Sequence, residues 1–354
     1  MKGIYESLLS FSKKGRASVL ATIITQAGPS PRGIGTKCLI MDDGSIVGTV
    51  GGGILEARVR KEAGKVFETG LPVRLHFSLK GRDVAQTDML CGGDVEIFME
   101  PVLPGDLTSI ALFERLCHIE KRGGTGLLLT VIDPDRWEEG RSQKLVLEKD
   151  GRHTGHRSFP DLVDALRLRM DSLLGSRQPV ILSLKGGSEK DMEIFAEPVL
   201  SNPVLFVFGA GHVSKQIVPL ANLVGFEVVV IDDRPDFADS REFPHAREVH
   251  VLGFEEVMDR LSIDESSYVV IVTRGHMHDK TVLAQALRTE ARYVGMIGSR
   301  RKREMIYEKL LEEGFSESDL SRVYSPIGLD IGAETPEEIA VSIVAELVKV
   351  RAKG

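Results

Sequence analysis

The chain has 354 residues, enough for two or three domains, and its 45 basic and 52 acidic residues leave a net charge of −7. That balance argues against a general affinity for nucleic acid or an anionic membrane, while 42% hydrophobic and 27% charged residues are ordinary for a globular protein. The 3 cysteines (Cys38, Cys91, Cys117) are too few and too scattered for a disulfide framework, a four-thiolate zinc site or the paired iron–sulfur clusters of a large redox hydroxylase.

Residues 1–15 read as a short amphipathic helix, with Ile4, Leu8 and Leu9 on one face and Lys13 and Lys14 behind them. They lack the apolar core and cleavage site of an export signal. No apolar run approaches the ~18 residues of a membrane span, so a cytoplasmic protein is expected.

A repeat organises the next two hundred residues. EIFMEPVL (96–103) recurs as EIFAEPVL (193–200), and Lys37–Gly48 aligns with Lys144–Gly155 at an offset of 107. Leu20–Thr25 similarly resembles Leu128–Asp133. Each copy reads strand, loop, strand, a hairpin turn at Asp43-Gly44 or Asp150-Gly151, strand, helix and two further strands. Residues 16–103 and 125–200 are thus expected to be diverged copies of one α+β unit within a domain covering 1–200.

The copies differ where loops are unusual. The first holds GPSPRGIG (28–35), Gly51-Gly52-Gly53 and Cys91-Gly92-Gly93; the second has Asp133–Gly140, Ser158–Pro160 and Lys185–Gly187 at the matching points. Packing alone would ask the same of both copies, so the first copy's loops are the better candidates for chemistry. Cys91 lies in one of them, where an accessible thiolate could hold a soft metal or transferable sulfur. Arg32 and the amides of Gly51–Gly53, ahead of Glu56, could cradle an anion. Cys38 and Cys117 fall on strand and helix patterns and read as small packed hydrophobes.

From residue 203 apolar strands at 204–208, 226–231, 249–252, 268–272 and 293–297 alternate with helical segments, and a long helix runs from Pro336 to about Val350. The fold class is therefore α/β: a C-terminal Rossmann-like, doubly wound parallel sheet over 203–354, plus an N-terminal α+β domain with an internal duplication.

Gly209-Ala-Gly211-His212-Val-Ser214 lies between a strand and a helix, where a dinucleotide fingerprint belongs. Asp232 follows at the end of the next strand, where a carboxylate can accept from a ribose hydroxyl. Ser214 replaces the third glycine and is expected to loosen helix–strand packing. A vestigial nucleotide site would read the same way, and hydride transfer does not follow from the motif. Next, TRGHMHD (273–279) brings His276, His278 and Asp279 to the sheet's carboxyl edge as metal ligands or proton-transfer groups. The alternative is that Asp279 caps a helix and both histidines are solvated.

In GSRRKR (298–303), Arg300, Arg301, Lys302 and Arg303 open a helix, where cations oppose the dipole and an anionic phosphate or partner would relieve them. Finally PIGLDIGA (326–333) leads to Thr335, Pro336 and Glu338, the pattern of an N-cap, first-turn proline and capping box.

In order, PSPRGIG, GTVGGGILE, LCGG, GAGHVS, TRGHMHD, IGSRRKR and PIGLDIGAETPEEIA resemble the XdhC/CoxI family of xanthine dehydrogenase accessory proteins. The likeness is weakest over 104–190. It implies a chaperone rather than a catalyst, one that transiently binds molybdenum cofactor as molybdopterin or its dinucleotide form. It also implies that the protein supports the cofactor's sulfuration with a cysteine desulfurase and delivers it to an apo molybdenum hydroxylase.

On that resemblance the phosphate end is expected on Gly209, Gly211, His212 and Ser214, with Asp232 and Arg300 assisting. The metal end would face Cys91, Arg32 and Gly51–Gly53 across an interdomain cleft, with Cys91 protecting molybdenum or relaying sulfur. A homodimer is expected. Two alternatives stay open: an NAD(P)-dependent oxidoreductase, for which no tyrosine–lysine pair is apparent, and a metal-binding regulatory module on His276–Asp279.

Overall fold

A computed structural model describes residues 3–78, 93–122, 124–139, 141–156, 163, 166–186, 189–255 and 257–352. The chain divides into two units, Met1–Ser201 and Asn202–Gly354. Among the described residues no helix is long and apolar enough to cross a membrane.

In the first unit α1 (Ile4–Lys13) leads into β1 (Ser18–Ala27), β2 (Lys37–Met41), β3 (Ile46–Gly48), α2 (Gly53–Thr69), β4 (Val73–Ser78) and β5 (Asp94–Val102). After α3 (Leu107–Arg122) the pattern returns as β6 (Thr125–Val131), β7 (Lys144–Glu148), β8 (His153–Gly155), α4 (Met170–Ser176), β9 (Val180–Gly186) and β10 (Glu189–Leu200). The two antiparallel sheets have the same order, β3-β2-β1-β5-β4 and β8-β7-β6-β10-β9, so the duplication is one of topology as well as sequence. Both Asp-Gly turns close their hairpins: the amides of Gly44 and Gly151, each at positive φ, donate to Met41 and Glu148 carbonyls at 2.9 Å.

Strand β1 is buried on both faces. Val19, Ala21 and Ile23 pack under α2 with Leu55, Val59 and Val66. Leu20 and Leu39 join Leu128 and Val146 from the other copy, sealed by Tyr5 of α1 and Leu112, Phe113 and Leu116 of α3. Equivalent residues also exchange partners between copies: Lys37 pairs with Glu197, and Lys144 with Glu100 at 2.8 Å. Cys38 and Cys117 are the packed residues the patterns indicate. Burial, aided by Glu56, pushes the Cys38 thiol up to about 12, and burial with Glu120 pushes Cys117 up to about 11, so neither is poised as a thiolate.

The second unit holds β11 (Val204–Phe208), α5 (His212–Leu223), β12 (Glu227–Asp232), β13 (Glu248–Val251), β14 (Tyr268–Ile271), α6 (His276–Ala286), β15 (Tyr293–Met296), α7 (Arg300–Glu312), α8 (Glu317–Ser321), β16 (Val323–Tyr324) and α9 (Pro336–Ala352). Its six strands are all parallel, in the order β13-β12-β11-β14-β15-β16. Numbered within the unit this is 3-2-1-4-5-6, the Rossmann order, whose direction reverses between β11 and β14. Residues of α5 and α9 cover one face, and residues of α6 and α7 the other. Thr335 and Glu338 form the expected capping box: the Glu338 amide donates to Thr335 Oγ1 at 3.3 Å, and the Thr335 amide donates to the Glu338 carboxylate at 3.0 Å.

Candidate functional site

The carboxyl edge of the Rossmann sheet gathers three of the motifs. Gly209 makes the turn out of β11 at φ +108, and a Cβ there would lie 2.4 Å from the Val272 carbonyl oxygen. Two residues on, Gly211 caps α5 at an ordinary φ of −82 with no side-chain cap, and a Cβ would meet open space. The two glycines therefore do different work: the first lets two backbones touch, the second leaves room in front of a helix terminus whose amides carry positive charge. His212 is exposed as the first residue of α5.

Ser214 corrects an expectation. It is fully buried, and its hydroxyl donates to the Gly209 carbonyl, so helix and turn pack tightly rather than loosely. A hydroxymethyl group is small enough for the third-glycine position and returns a hydrogen bond.

Asp232, 2% exposed, is where the fingerprint requires it but is already engaged. Its carboxylate accepts from the Ala210 amide at 2.8 Å, the Arg234 amide at 3.0 Å and the Arg234 guanidinium at 2.8 and 2.9 Å. Arg234 in turn lies over the Phe237 ring at 3.6 Å. Burial raises the Asp232 carboxyl, but the Arg234 guanidinium and the two amides outweigh it and hold the group at about 2. Each carboxylate oxygen of Asp232 thus already accepts two hydrogen bonds from the protein itself. The signal that could have exposed this is the Asp-Asp-Arg run at 232–234, which the fingerprint pattern does not include.

The stabilisation has a definite pH sign. A carboxyl depressed on folding contributes fully above its unfolded value near 4 and loses that contribution as pH falls through about 2. The Asp232→Asn variant should lose up to roughly 2 kcal/mol at pH 7 and show a smaller difference from wild type at pH 3, read by urea unfolding. Equal differences at both pH values would contradict the arrangement.

The other two motifs are joined by Asp279. Fully buried, it accepts from the Thr273 hydroxyl at 2.6 Å and amide at 3.2 Å, and pairs with Lys302 of α7. It is neither a helix cap nor free to ligate. His276 is exposed at the start of α6, while His278 packs beside the Phe254 ring at 5.3 Å. His276, His278 and Asp279 do not make a metal centre, and among the described residues no three His, Cys, Asp or Glu side chains do. Arg274 instead bonds Asp233 at 2.9 Å, linking the ends of β14 and β12. Arg300 and Arg301 are exposed at the start of α7, beside the paired Lys302.

The first copy's special loops converge at one end of its sheet. Gly93 is buried where a Cβ would lie 2.4 Å from the Pro29 oxygen and 2.7 Å from the Ala27 oxygen, and one on Gly51 would lie 3.0 Å from Pro31. The anion cradle expected at Gly51–Gly53 is partly filled from within: Thr49 accepts from the Gly51 amide at 3.1 Å, and Glu56 from the Gly52 amide at 3.0 Å. Glu56 sits one turn into α2 and supplies the negative charge its amino terminus favours. Arg32 is exposed on the adjoining loop, and Cys91 lies outside the described residues.

Residues 205–347 match the model described as the XdhC Rossmann domain, and residues 12–78 that of the XdhC and CoxI family. A Bacillus subtilis protein, named as a probable xanthine dehydrogenase subunit, is 26% identical over 94% of this chain and 93% of its own length. The Escherichia coli molybdenum cofactor insertion chaperone PaoD is 22% identical over 98% and 86%. The chain spans just under half, 46%, of a third relative, E. coli YqeB, at 26% identity. A Bacillus halodurans protein whose crystal structure is described as a xanthine dehydrogenase superposes with a TM-score of 0.78 at 26% identity, over 99% of this chain and 96% of that one. With a family model matched in each of its two units, and one of them on the Rossmann sheet itself, the chain belongs to the XdhC/CoxI family.

Proposed function

We propose that this protein is an accessory factor that binds molybdenum cofactor, supports its sulfuration and delivers it to an apo hydroxylase of the xanthine dehydrogenase type. The observation that carries the reading is a Rossmann crevice with its phosphate half open and its ribose half closed. Gly211 leaves the start of α5 clear, whereas Asp232 is saturated by Ala210 and Arg234. That combination suits a phosphate-headed ligand better than a nicotinamide dinucleotide, and the monophosphate form of molybdopterin better than its dinucleotide. When bound, the cofactor supplies a dithiolene-held molybdenum for the client's redox chemistry. A group that brings its own sulfur ligands asks for anion contacts rather than a three-donor cage, which fits the described residues.

In this reading the α5 amides and His212 hold the phosphate, and the exposed Arg300 and Arg301 add positive potential. Cys91 is the residue proposed to relay sulfur from a cysteine desulfurase, with Arg32 alongside. A cytoplasmic homodimer completes the proposal.

The test is expression with a source of molybdenum cofactor, gentle purification, then oxidised-pterin fluorescence and metal analysis. Wild type should retain pterin and molybdenum. Gly211→Ala should retain about tenfold less, the equivalent of ~1.4 kcal/mol, with an unchanged unfolding midpoint. Equal retention would sink the crevice assignment, and equal retention by Cys91→Ala would remove that residue's role. Tight nicotinamide binding without pterin would instead favour an oxidoreductase.

A further inference from the structure

The duplication creates two equivalent ion pairs, and only one is sealed. Lys144 and Glu100 are each 2% exposed, whereas the Lys37 and Glu197 side chains, 8% exposed, border a cavity of about 460 Å3 in the N-terminal unit. That volume lies within the ~300–1,000 Å3 of small-molecule sites. Ile34, Pro179 and Pro198 are apolar residues of its lining, and Glu120 and Arg177 add a carboxyl and a guanidinium.

Neither of those two groups is used by the fold. Half-buried Glu120 near the end of α3 has no hydrogen bond or ion pair among the described residues, and neither does the exposed Arg177 side chain. Burial, then the neighbouring Glu6, pushes the Glu120 carboxyl up to about 6.

Arg177 is also in the wrong place for its backbone. It ends α4 in the left-handed conformation at φ 52, and among the described residues it is the one non-glycine with positive φ. Its counterpart at the 107-residue offset is Gly70, which ends α2 in the same conformation at φ 65. Glycine is what that backbone favours. Strain retained in one copy and relieved in the other points to a use for the Arg177 side chain.

We propose that this cavity binds a flat nitrogen heterocycle that offers a paired N–H/NH2 edge to Glu120 and an anionic tail to Arg177. That is the 2-aminopyrimidin-4-one chemistry shared by pterins and guanine nucleotides. Ionised at neutral pH even with its carboxyl raised to about 6, Glu120 can accept through both oxygens from a paired donor edge, and an ammonium ligand would meet the Lys37 cation beside it. The site lies wholly in the N-terminal unit, so its failure and the failure of the crevice assignment are separate results.

Fluorescence titration of pterin-6-carboxylate into the full chain tests it, with GMP and AMP as competitors. Saturable binding is expected, with AMP, which lacks the paired donor edge, competing poorly. Competition by GMP marks a site open to both sources, and its absence assigns the site to pterins. Glu120→Gln and Arg177→Gly should each weaken binding about tenfold. Arg177→Gly should at the same time raise the unfolding midpoint by about 2 °C, because it relieves the strained turn. The proposal is overturned by no saturable binding to wild type, by AMP displacing the bound pterin as readily as free pterin-6-carboxylate does, or by either variant binding as wild type does.

Discussion

Lys144→Met should cost the N-terminal unit about 3–5 kcal/mol, because removing one member of a buried pair strands the other without water. Glu100 and Lys144 are each 2% exposed, and Lys144 also donates to the Thr130 hydroxyl at 2.8 Å. Burial already raises the Glu100 carboxyl despite the attraction of Lys144. Without that cation the folded protein will hold Glu100 protonated, whereas the unfolded chain releases the proton above pH ~4.3. The folded value is then the higher one, so the variant's stability falls as pH rises between the two, and its deficit is larger at pH 8 than at pH 5.

The chain's single tryptophan is a built-in probe of this unit: Trp137 donates through its indole N–H to the Val131 carbonyl at 2.8 Å. Urea unfolding followed by its fluorescence should show the loss. The double variant Lys144→Met/Glu100→Leu should recover most of it, since an apolar replacement removes both desolvated charges. A single variant as stable as wild type would show that the pair carries no net load. The counterpart Lys37→Met should lose less, because Glu197 borders a cavity that water can enter.

The repeat was legible because identity and turn chemistry survive divergence: EIFMEPVL and EIFAEPVL align, and both Asp-Gly pairs turn as such pairs do. Alternating apolar strands and helices likewise made the Rossmann unit readable. The exchange of partners was not readable, since sequence aligns Lys37 with Lys144 without saying that each finds its carboxylate in the other copy. Nor was the state of Asp232. A fingerprint specifies where a carboxylate stands, whereas its occupancy depends on the rotamer of Arg234 two residues away. Glu56 is a similar case: its helix position was visible, but its reach back to the Gly52 amide was not. The metal reading of His276, His278 and Asp279 grouped neighbours in sequence that the fold engages differently: Asp279 is held on Thr273 and Lys302, His278 packs beside Phe254, and His276 is exposed.

Gly209→Ala should destabilise the Rossmann unit by about 3 kcal/mol or more, the sum of a strained φ and overpacking against backbone. The new methyl would lie 2.4 Å from the Val272 oxygen, 2.8 Å from its carbonyl carbon and 3.0 Å from the Thr273 Cα, at φ +108. Backbone atoms cannot rotate away, so the ends of β11 and β14 must separate. The same turn holds the Gly209 amide on the Ile231 carbonyl at 2.7 Å and the Ala210 amide on Asp232. Thermal unfolding followed by circular dichroism should therefore lose midpoint and cofactor retention together. Gly211→Ala should lose retention alone, because its methyl projects into open space. A Gly209→Ala protein that melts with wild type would mean the contact with Val272 does not hold the turn. A Gly211→Ala protein that melts early would mean the second glycine serves packing, leaving the crevice without its open face. The two glycines of one motif thus separate, by measurement, what the fold needs from what a ligand needs.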